Sequence, residues 1–270
     1  MFNRLLLTGA TGGLGRALGP RLTALTRTLR LSDITDPPDA AGGGEWMKVD
    51  LANGAAVHEL LRDVDAVVHF GAISVEAPFE PIMQANILGV FNLYEAARRH
   101  GVRRIVFASS NHVTGFYRHG ERIDANAPLR PDSYYGVSKA FGEQFSRFYF
   151  DRYGIETVCL RIGSSFPQAR ERRSLVIWLS YDDLFELVRC ALVTPNVGHT
   201  IVYGASANRD SWWDNAQAAH LNWQPRDSSE QFRASAEAQA PLPPDDPAAI
   251  FQGGKFVKEG PYPAPWTKQS

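Results

Sequence analysis

Cysteine is scarce, neither sign of charge dominates, and long apolar runs are missing; each absence narrows what the chain can be. Two cysteines in 270 residues, Cys159 and Cys190, build no disulfide framework and stand at no metal-ligand spacing, so no metal is expected. Both fall inside apolar segments and read as buried free thiols. A formal charge of −1 removes the electrostatic reason to expect nucleic acid or an anionic membrane surface as partner. No stretch approaches the roughly 20 apolar residues that span a bilayer, and Leu5-Leu6-Leu7 is too short for the core of a signal peptide. What is left is a cytoplasmic protein with a small-molecule partner, long enough for one α/β unit with a modest extension but not for two full-sized domains.

What is present alternates. Short apolar runs at Leu5–Thr8, Thr28–Leu31, Ala66–Phe70, Arg104–Ala108 and Thr157–Arg161 read as buried strands. Helical patterns lie between them near Leu14–Leu25, Gly54–Arg62, Ile82–His100 and Gly136–Tyr153. Strands separated by crossover helices pair in parallel, so the fold class is α/β, a doubly wound parallel sheet of the Rossmann type. Residues 1–165 carry this core. Residues 166–270, with a helix near Tyr181–Val193, a strand near Thr200–Tyr203 and the pair Trp212-Trp213, read as a small substrate-binding extension without a clean linker. Pro37–Gly44 and Pro241–Pro247 have loop compositions.

Thr8-Gly9-Ala10-Thr11-Gly12-Gly13-Leu14-Gly15 follows the first strand and opens the first helix. In that context glycines three apart let backbone approach a pyrophosphate, while the helix N-terminus offers unpaired N–H groups and a favourable dipole. Asp33 ends the next strand 18 positions past Gly15, where a carboxylate accepts from ribose hydroxyls and repels a 2′-phosphate. With no arginine directly after it, the expected cofactor is NAD. By fold analogy Asp50 and Leu51 lie at the adenine edge, and Gly71, Ala72 and Ile73 lie beside the diphosphate.

Tyr135 and Lys139 stand four residues apart on a helix, one turn from each other on the same face. With nine tyrosines and five lysines, chance supplies about 0.2 such pairs in a chain of this length. A phenol with a pKa near 10 is a poor base at neutral pH, and a cation beside it is expected to lower that value. Ser110, at the end of Phe107-Ala108-Ser109-Ser110, brings a hydroxyl to the carboxyl edge of the sheet, where open α/β proteins bind ligands. There it can orient a substrate hydroxyl.

The glycine turn, Asp50-Leu51, Tyr135-x-x-x-Lys139 and a serine 25 positions before the tyrosine resemble the extended short-chain dehydrogenases over roughly residues 3–165. The resemblance implies a triad of Ser110, Tyr135 and Lys139, with Asn86 as a supporting asparagine. Ser109 and Ile162 are expected to join the glycine turn, Asp33, Asp50, Leu51, Gly71, Ala72, Ile73, Asn86, Tyr135 and Lys139 in holding the cofactor.

Gly71-Ala72-Ile73-Ser74, Ser109-Ser110-Asn111-His112, Arg161-Ile162-Gly163-Ser164, Trp212-Trp213-Asp214-Asn215 and Phe251-Gln252-Gly253-Gly254 are similar to bacterial uronate dehydrogenases, almost end to end. That family oxidises C1 of a hexuronic acid such as glucuronate or galacturonate to an aldarate lactone, so a uronic acid is the implied substrate. Ser74, Ser110, Asn111, His112, Tyr135 and Ser164 would contact its hydroxyls. Arg173 is the chosen partner for its carboxylate, with Arg170 and Arg172 as competitors in the same loop. His69, inside an apolar run, reads as structural.

The aromatic stripe Phe141, Phe145, Phe148 and Tyr149 reads equally as core or as a subunit interface. Family members often pair through this helix, and a homo-oligomer is expected. Two rival functions share the motifs. A nucleotide-sugar epimerase or dehydratase would need a larger C-terminal pocket, and an NAD-sensing binding protein would have no use for an intact Ser110, Tyr135 and Lys139.

Overall fold

The computed structural model describes residues 1–36, 44–260 and Tyr262. The expected loop at Pro37–Gly44 lies, except for Gly44, outside the described residues. Seven strands form one parallel sheet: β1 (Phe2–Thr8), β2 (Thr26–Asp33), β3 (Glu45–Lys48), β4 (Ala66–His69), β5 (Arg104–Ser110), β6 (Glu156–Ile162) and β7 (His199–Gly204), in the order β3-β2-β1-β4-β5-β6-β7. The order reverses between β1 and β4, which opens a crevice at the carboxyl ends of the strands.

Both faces of the sheet are covered, so the strands are apolar on both sides. On one face Leu5, Leu7, Ala66 and Val68 pack with Leu18 and Leu22 of α1 (Gly13–Leu22). The same core takes in Leu184, Leu187, Val188 and Ala191 of α7 (Tyr181–Val193). On the other face Leu6 and Val67 pack with Val57 and Leu60 of α2 (Gly54–Leu60) and with Leu93, Tyr94 and Ala97 of α4 (Gly89–His100). Tyr149 and the partly buried Phe141 and Phe145 of α5 (Tyr134–Tyr153) join that second core. Phe148 faces outward, so the stripe on α5 serves the core and leaves one ring at the surface.

The expected helix over Ile82–His100 is not uniform. A four-residue α3 (Phe79–Ile82) passes through a π-helical stretch at Met83–Leu88 into α4. The wider turn carries Asn86, whose amide is held by partners outside the helix, a common setting for such bulges. The chain after β6 lends β7 to the sheet and adds three short helices, α6 (Ser174–Ile177), α8 (Arg233–Glu237) and α9 (Pro247–Ile250). Pro247, expected in a loop, stands in the first turn of α9. Among the described residues no helix is long and apolar enough to cross a membrane.

A buried ion pair fastens α5 to the sheet. Glu143 takes Nε and Nη2 of Arg161 at 2.9 and 2.8 Å and the hydroxyl of Ser109 at 2.6 Å, while Arg161 Nη1 donates to Tyr203 Oη at 2.9 Å. Glu143 is fully buried and Arg161 nearly so. Among the described residues each charge has only the other as its counter-charge, so removing one strands its partner. Glu143→Gln is expected to lower unfolding free energy by about 3 kcal/mol or more, measured by urea denaturation; a loss below about 1 kcal/mol would show the pair to behave like a surface bridge.

Candidate active site

The glycine turn is built for a backbone approach. Gly9 has φ +71 and a Cβ there would stand 2.6 Å from the carbonyl carbon of Phe70, while a Cβ on Gly15 would stand 2.1 Å from the oxygen of Gly9. Those two glycines let the turn fold tightly between β1, β4 and α1. Gly12 and Gly13 are exposed, and the N-terminus of α1 has neither a side-chain cap nor an acid in its first turn. Its free N–H groups and dipole suit a diphosphate. Asp33 accepts from Thr11 N at 2.9 Å and from Ile34 N at 2.7 Å, which fixes the carboxylate at the rim of the turn. Asp50 is exposed and Leu51 half-buried, its side chain beside Gly71. These residues fit a dinucleotide.

The segment after β4 is pinned at three points. Thr8 Oγ1 accepts from Gly71 N at 3.1 Å and bonds His69 Nδ1 at 2.8 Å, so His69 is a structural residue, as expected. Asn86 pairs with both main-chain groups of Ile73, at 2.8 and 2.9 Å, and reaches Ser138 Oγ at 2.9 Å. Asn86 therefore supports the loop that carries Gly71, Ala72, Ile73 and the exposed Ser74. Glu76 then accepts from the amides of Tyr134 and Tyr135 at 3.1 and 2.8 Å. A carboxylate at the head of α5 satisfies amides that the helix itself leaves free.

Ser133 caps α5 by accepting from Gly136 N. The helix presents Tyr135 and Lys139, both buried, beneath the end of β5. Burial pushes the Tyr135 phenol up to about 12; the Ser110 hydroxyl opposes this and the Asp132 carboxylate adds to it. Lys139 Nζ lies 5.7 Å from the centre of the phenol ring and 5.2 Å from that of Phe107, and burial pushes its own ammonium down to about 8. The lowering of the phenol expected from the lysine's spacing is not found: burial governs both groups, and the phenol stands above its ordinary value.

Ser109 and Ser110 point to opposite faces, as neighbours on a strand must. The hydroxyl of Ser109 goes to Glu143, so its side chain serves the fold and what it can offer a cofactor is main chain. Ser110 Oγ accepts from His112 N at 3.2 Å and faces Tyr135. Ile162, buried, and Ser164, half-buried, border the same edge at the end of β6. In the amide orientation its neighbours require, Asn111 donates to Ile162 O at 3.2 Å and accepts from Arg173 Nη2 at 3.0 Å.

The three competing arginines separate by their partners. Arg172 donates to the carbonyl oxygens of Glu237 and Gln239, and Arg170 is exposed. Arg173 alone turns to the site: Nε donates to Gln252 O at 2.7 Å and Nη2 to Asn111. Its bonds go to neutral acceptors, no ion pair to a described carboxylate is formed, and burial pushes its guanidinium down to about 10, with Glu171 and Asp132 opposing. Sequence reasoning missed what surrounds it. Gln252 is buried and holds Trp213 Nε1 and the carbonyls of Arg118 and Glu121. Phe256 stacks on His112 with ring centres 3.9 Å apart. The Gln-Gly-Gly turn before Phe256 was the one visible signal.

A reversed parallel sheet, a glycine turn with an acid beyond it, and Ser110 with Tyr135 and Lys139 at the strand ends define an NAD-dependent oxidoreductase of the short-chain dehydrogenase class. Residues 5–176 match the model of the NAD dependent epimerase/dehydratase family. The chain is 61% identical to a uronate dehydrogenase of Pseudomonas putida over 97% of its length and 98% of the relative's. Its fold matches a crystal structure of a glucuronic acid dehydrogenase from Chromohalobacter salexigens with TM-score 0.94 and 52% identity, over 96% and 98% of the two chains. It also matches uronate dehydrogenase from Agrobacterium tumefaciens, a tyrosine-to-alanine variant complexed with NAD, with TM-score 0.93 and 46% identity over 96% and 98%. The chain belongs to the NAD dependent epimerase/dehydratase family, and within it to the uronate dehydrogenases.

Lys139 sets a pH dependence. Below about pH 8 the ammonium is charged in the folded and unfolded states, and the folded state bears the cost of burying it. Between about 8 and the usual 10.5 the folded chain sheds the proton first and that cost lifts. The stability of the cofactor-free protein relative to Lys139→Met is therefore expected to rise across this window, by up to about 3 kcal/mol. Urea denaturation at several pH values measures it, and a flat difference contradicts the burial of the charge.

Proposed function

We propose that the chain oxidises a hexuronic acid, glucuronate or galacturonate, at C1 to the aldarate lactone with NAD as acceptor. The observation that carries this reading is Arg173, a largely buried guanidinium with no described carboxylate partner, held beside Ser110 through Asn111. A planar cation in that setting matches a carboxylate with two parallel hydrogen bonds. Ser74, Asn111, His112 and Ser164 supply polar contacts for the hydroxyls around it.

When bound, NAD supplies the hydride acceptor and a positively charged ring. Gly12, Gly13 and the head of α1 would hold its diphosphate, and Asp33 its ribose. Tyr135 takes the proton of the anomeric hydroxyl as C1 gives up its hydride, and Ser110 holds that hydroxyl in line. Lys139, one helical turn away, would act with the positive ring of bound NAD to favour the phenolate against the burial that holds the phenol up. Arg173 fixes the far end of the sugar so that C1 is the carbon presented.

We assign residues 1–165 to cofactor binding and 166–270 to the substrate, the latter because Arg173, Gln252 and Phe256 all come from it. We place the enzyme in the cytoplasm with the NAD pool it draws on. A homo-oligomer fits the apolar strip of Leu88 at the end of the π-helical stretch, Phe91 on α4, and Val137 and Phe148 on α5, all exposed.

Purified protein with NAD is expected to form NADH with glucuronate or galacturonate and not with neutral hexoses or UDP-hexoses. Activity confined to neutral or UDP-linked sugars refutes the substrate. Tyr135→Phe is expected to bind NAD as before and to lose at least about 100-fold in kcat; comparable turnover removes Tyr135 as the base.

A further inference from the structure

Asp132 is a carboxylate with no exposed side-chain surface, three residues before Tyr135, and the cofactor and substrate roles described above leave it unused. It does not cap α5, because Ser133 does. Its Oδ2 stands 2.7 Å from His112 Nδ1, its Oδ1 accepts from Ser133 Oγ at 2.7 Å, and its own amide donates to His112 O at 3.3 Å. The fold makes room for it: a Cβ on Gly115 or Gly253 would fall within 2 Å of Oδ2, at 1.7 and 1.9 Å. Burying a carboxylate is costly unless its partners are in place, and here the principal partner is one imidazole nitrogen.

The His112 ring is clamped as well. Phe256 stacks on one face and the Tyr135 ring meets it edge-on at 5.7 Å. Its Nε2 has no hydrogen-bond partner among the described residues, its main-chain amide donates to Ser110 Oγ, and Arg173 lies near enough to act on the ring's charge.

We propose that Asp132 is a positioning residue that acts through His112: by accepting from Nδ1 it keeps the proton there and makes Nε2 a hydrogen-bond acceptor for a hydroxyl of the sugar. An ionised carboxylate can only accept, so the neutral imidazole beside it must carry its hydrogen on Nδ1. Nε2 is then bare and suits a hydroxyl donor. Protonation of the ring turns Nε2 into a donor and removes that contact.

The groups facing His112 are Asp132 from the segment before α5, Tyr135 from α5, Arg173 at the start of α6, and Phe256 and Glu259 from the C-terminal strap. Burial holds the imidazole below its ordinary range, Arg173 adds to this, and Asp132 and Glu259 oppose it. Removing the Asp132 charge therefore moves the acid limb to lower pH.

The proposal rests on the uronate reading for its substrate, and its test separates the two. In Asp132→Asn the amide nitrogen takes the place of Oδ2 and donates to Nδ1, which drives the ring proton to Nε2. The expected result is a KM for the uronate raised about 10- to 100-fold, a smaller change in kcat, unchanged NAD affinity, and an acid limb displaced downward. In a His112→Gln background the same substitution should add less than about threefold. An equal loss in both backgrounds, or an unmoved acid limb, makes Asp132 purely structural and overturns the proposal.

Should Asp132→Asn fail to fold, ring-nitrogen NMR of the native protein still decides. A bare Nε2 with Nδ1–H at neutral pH supports the proposal, and Nε2–H overturns it. Failure of the native enzyme to oxidise uronates would count against the substrate and leave the NMR result standing.

Discussion

A guanidinium held largely out of water, with two carboxylates in its field but no ion pair to any described one, is the constraint around which the substrate side of this protein is arranged. Burial, against the opposing pull of Glu171 and Asp132, pushes Arg173 down to about 10, and among the described residues its hydrogen bonds go only to neutral acceptors, the carbonyl of Gln252 and the amide of Asn111. Each acceptor is itself tied down. Gln252 is bonded to Trp213 and to the turn at Arg118–Glu121, so the C-terminal strap, the Trp212-Trp213 segment and the loop after β5 converge on one side chain. Asn111 follows Ser110, which couples the cation to the reacting end of the site. The missing negative charge is one that a ligand can bring.

The cofactor side obeys a different economy, built from main chain rather than from side-chain charge. The reversal of strand order between β1 and β4 leaves an opening, the glycines at 9 and 15 allow backbone to close around it, and the head of α1 is left uncapped. The loop from Gly71 to Glu76 joins the two sides, clamped by Thr8, Asn86 and the amides of Tyr134 and Tyr135. α5 stays in register with the sheet through Glu143 and Arg161. Tyr135 and Lys139 are thereby delivered to the one place where both sides meet.

How much of this could be read from residues alone follows from the range of the interactions. Six strands were legible because each is a nearly continuous apolar run, whereas the edge strand β3, Glu45-Trp46-Met47-Lys48, has exposed charged ends and was not; α7, capped at its head by Ser180, fills the span expected for it. The glycine turn, Asp33 and the Tyr135–Lys139 spacing are local patterns and stood out. The π turn at Met83–Leu88 did not, since one extra residue per turn hardly disturbs hydrophobic periodicity and its partners lie at Ile73 and Ser138. Spacing put a cation near the phenol but could not report burial, which reverses the expected shift of Tyr135. Three arginines in one loop look alike in sequence; only their partners, 79 positions away in the case of Arg173 and Gln252, tell them apart. Asp132 and Phe256 were invisible for the same reason.

The central claim is that the substrate's carboxylate completes a site whose cation is already in place. The most direct measurement is the ratio of kcat/KM for galacturonate to that for galactose, which differ only at C6, in the native enzyme and in Arg173→Met. The account predicts a strong preference for the acid that collapses in the variant by about 100-fold or more, with NAD affinity unchanged. A ratio that survives the loss of the guanidinium would contradict it.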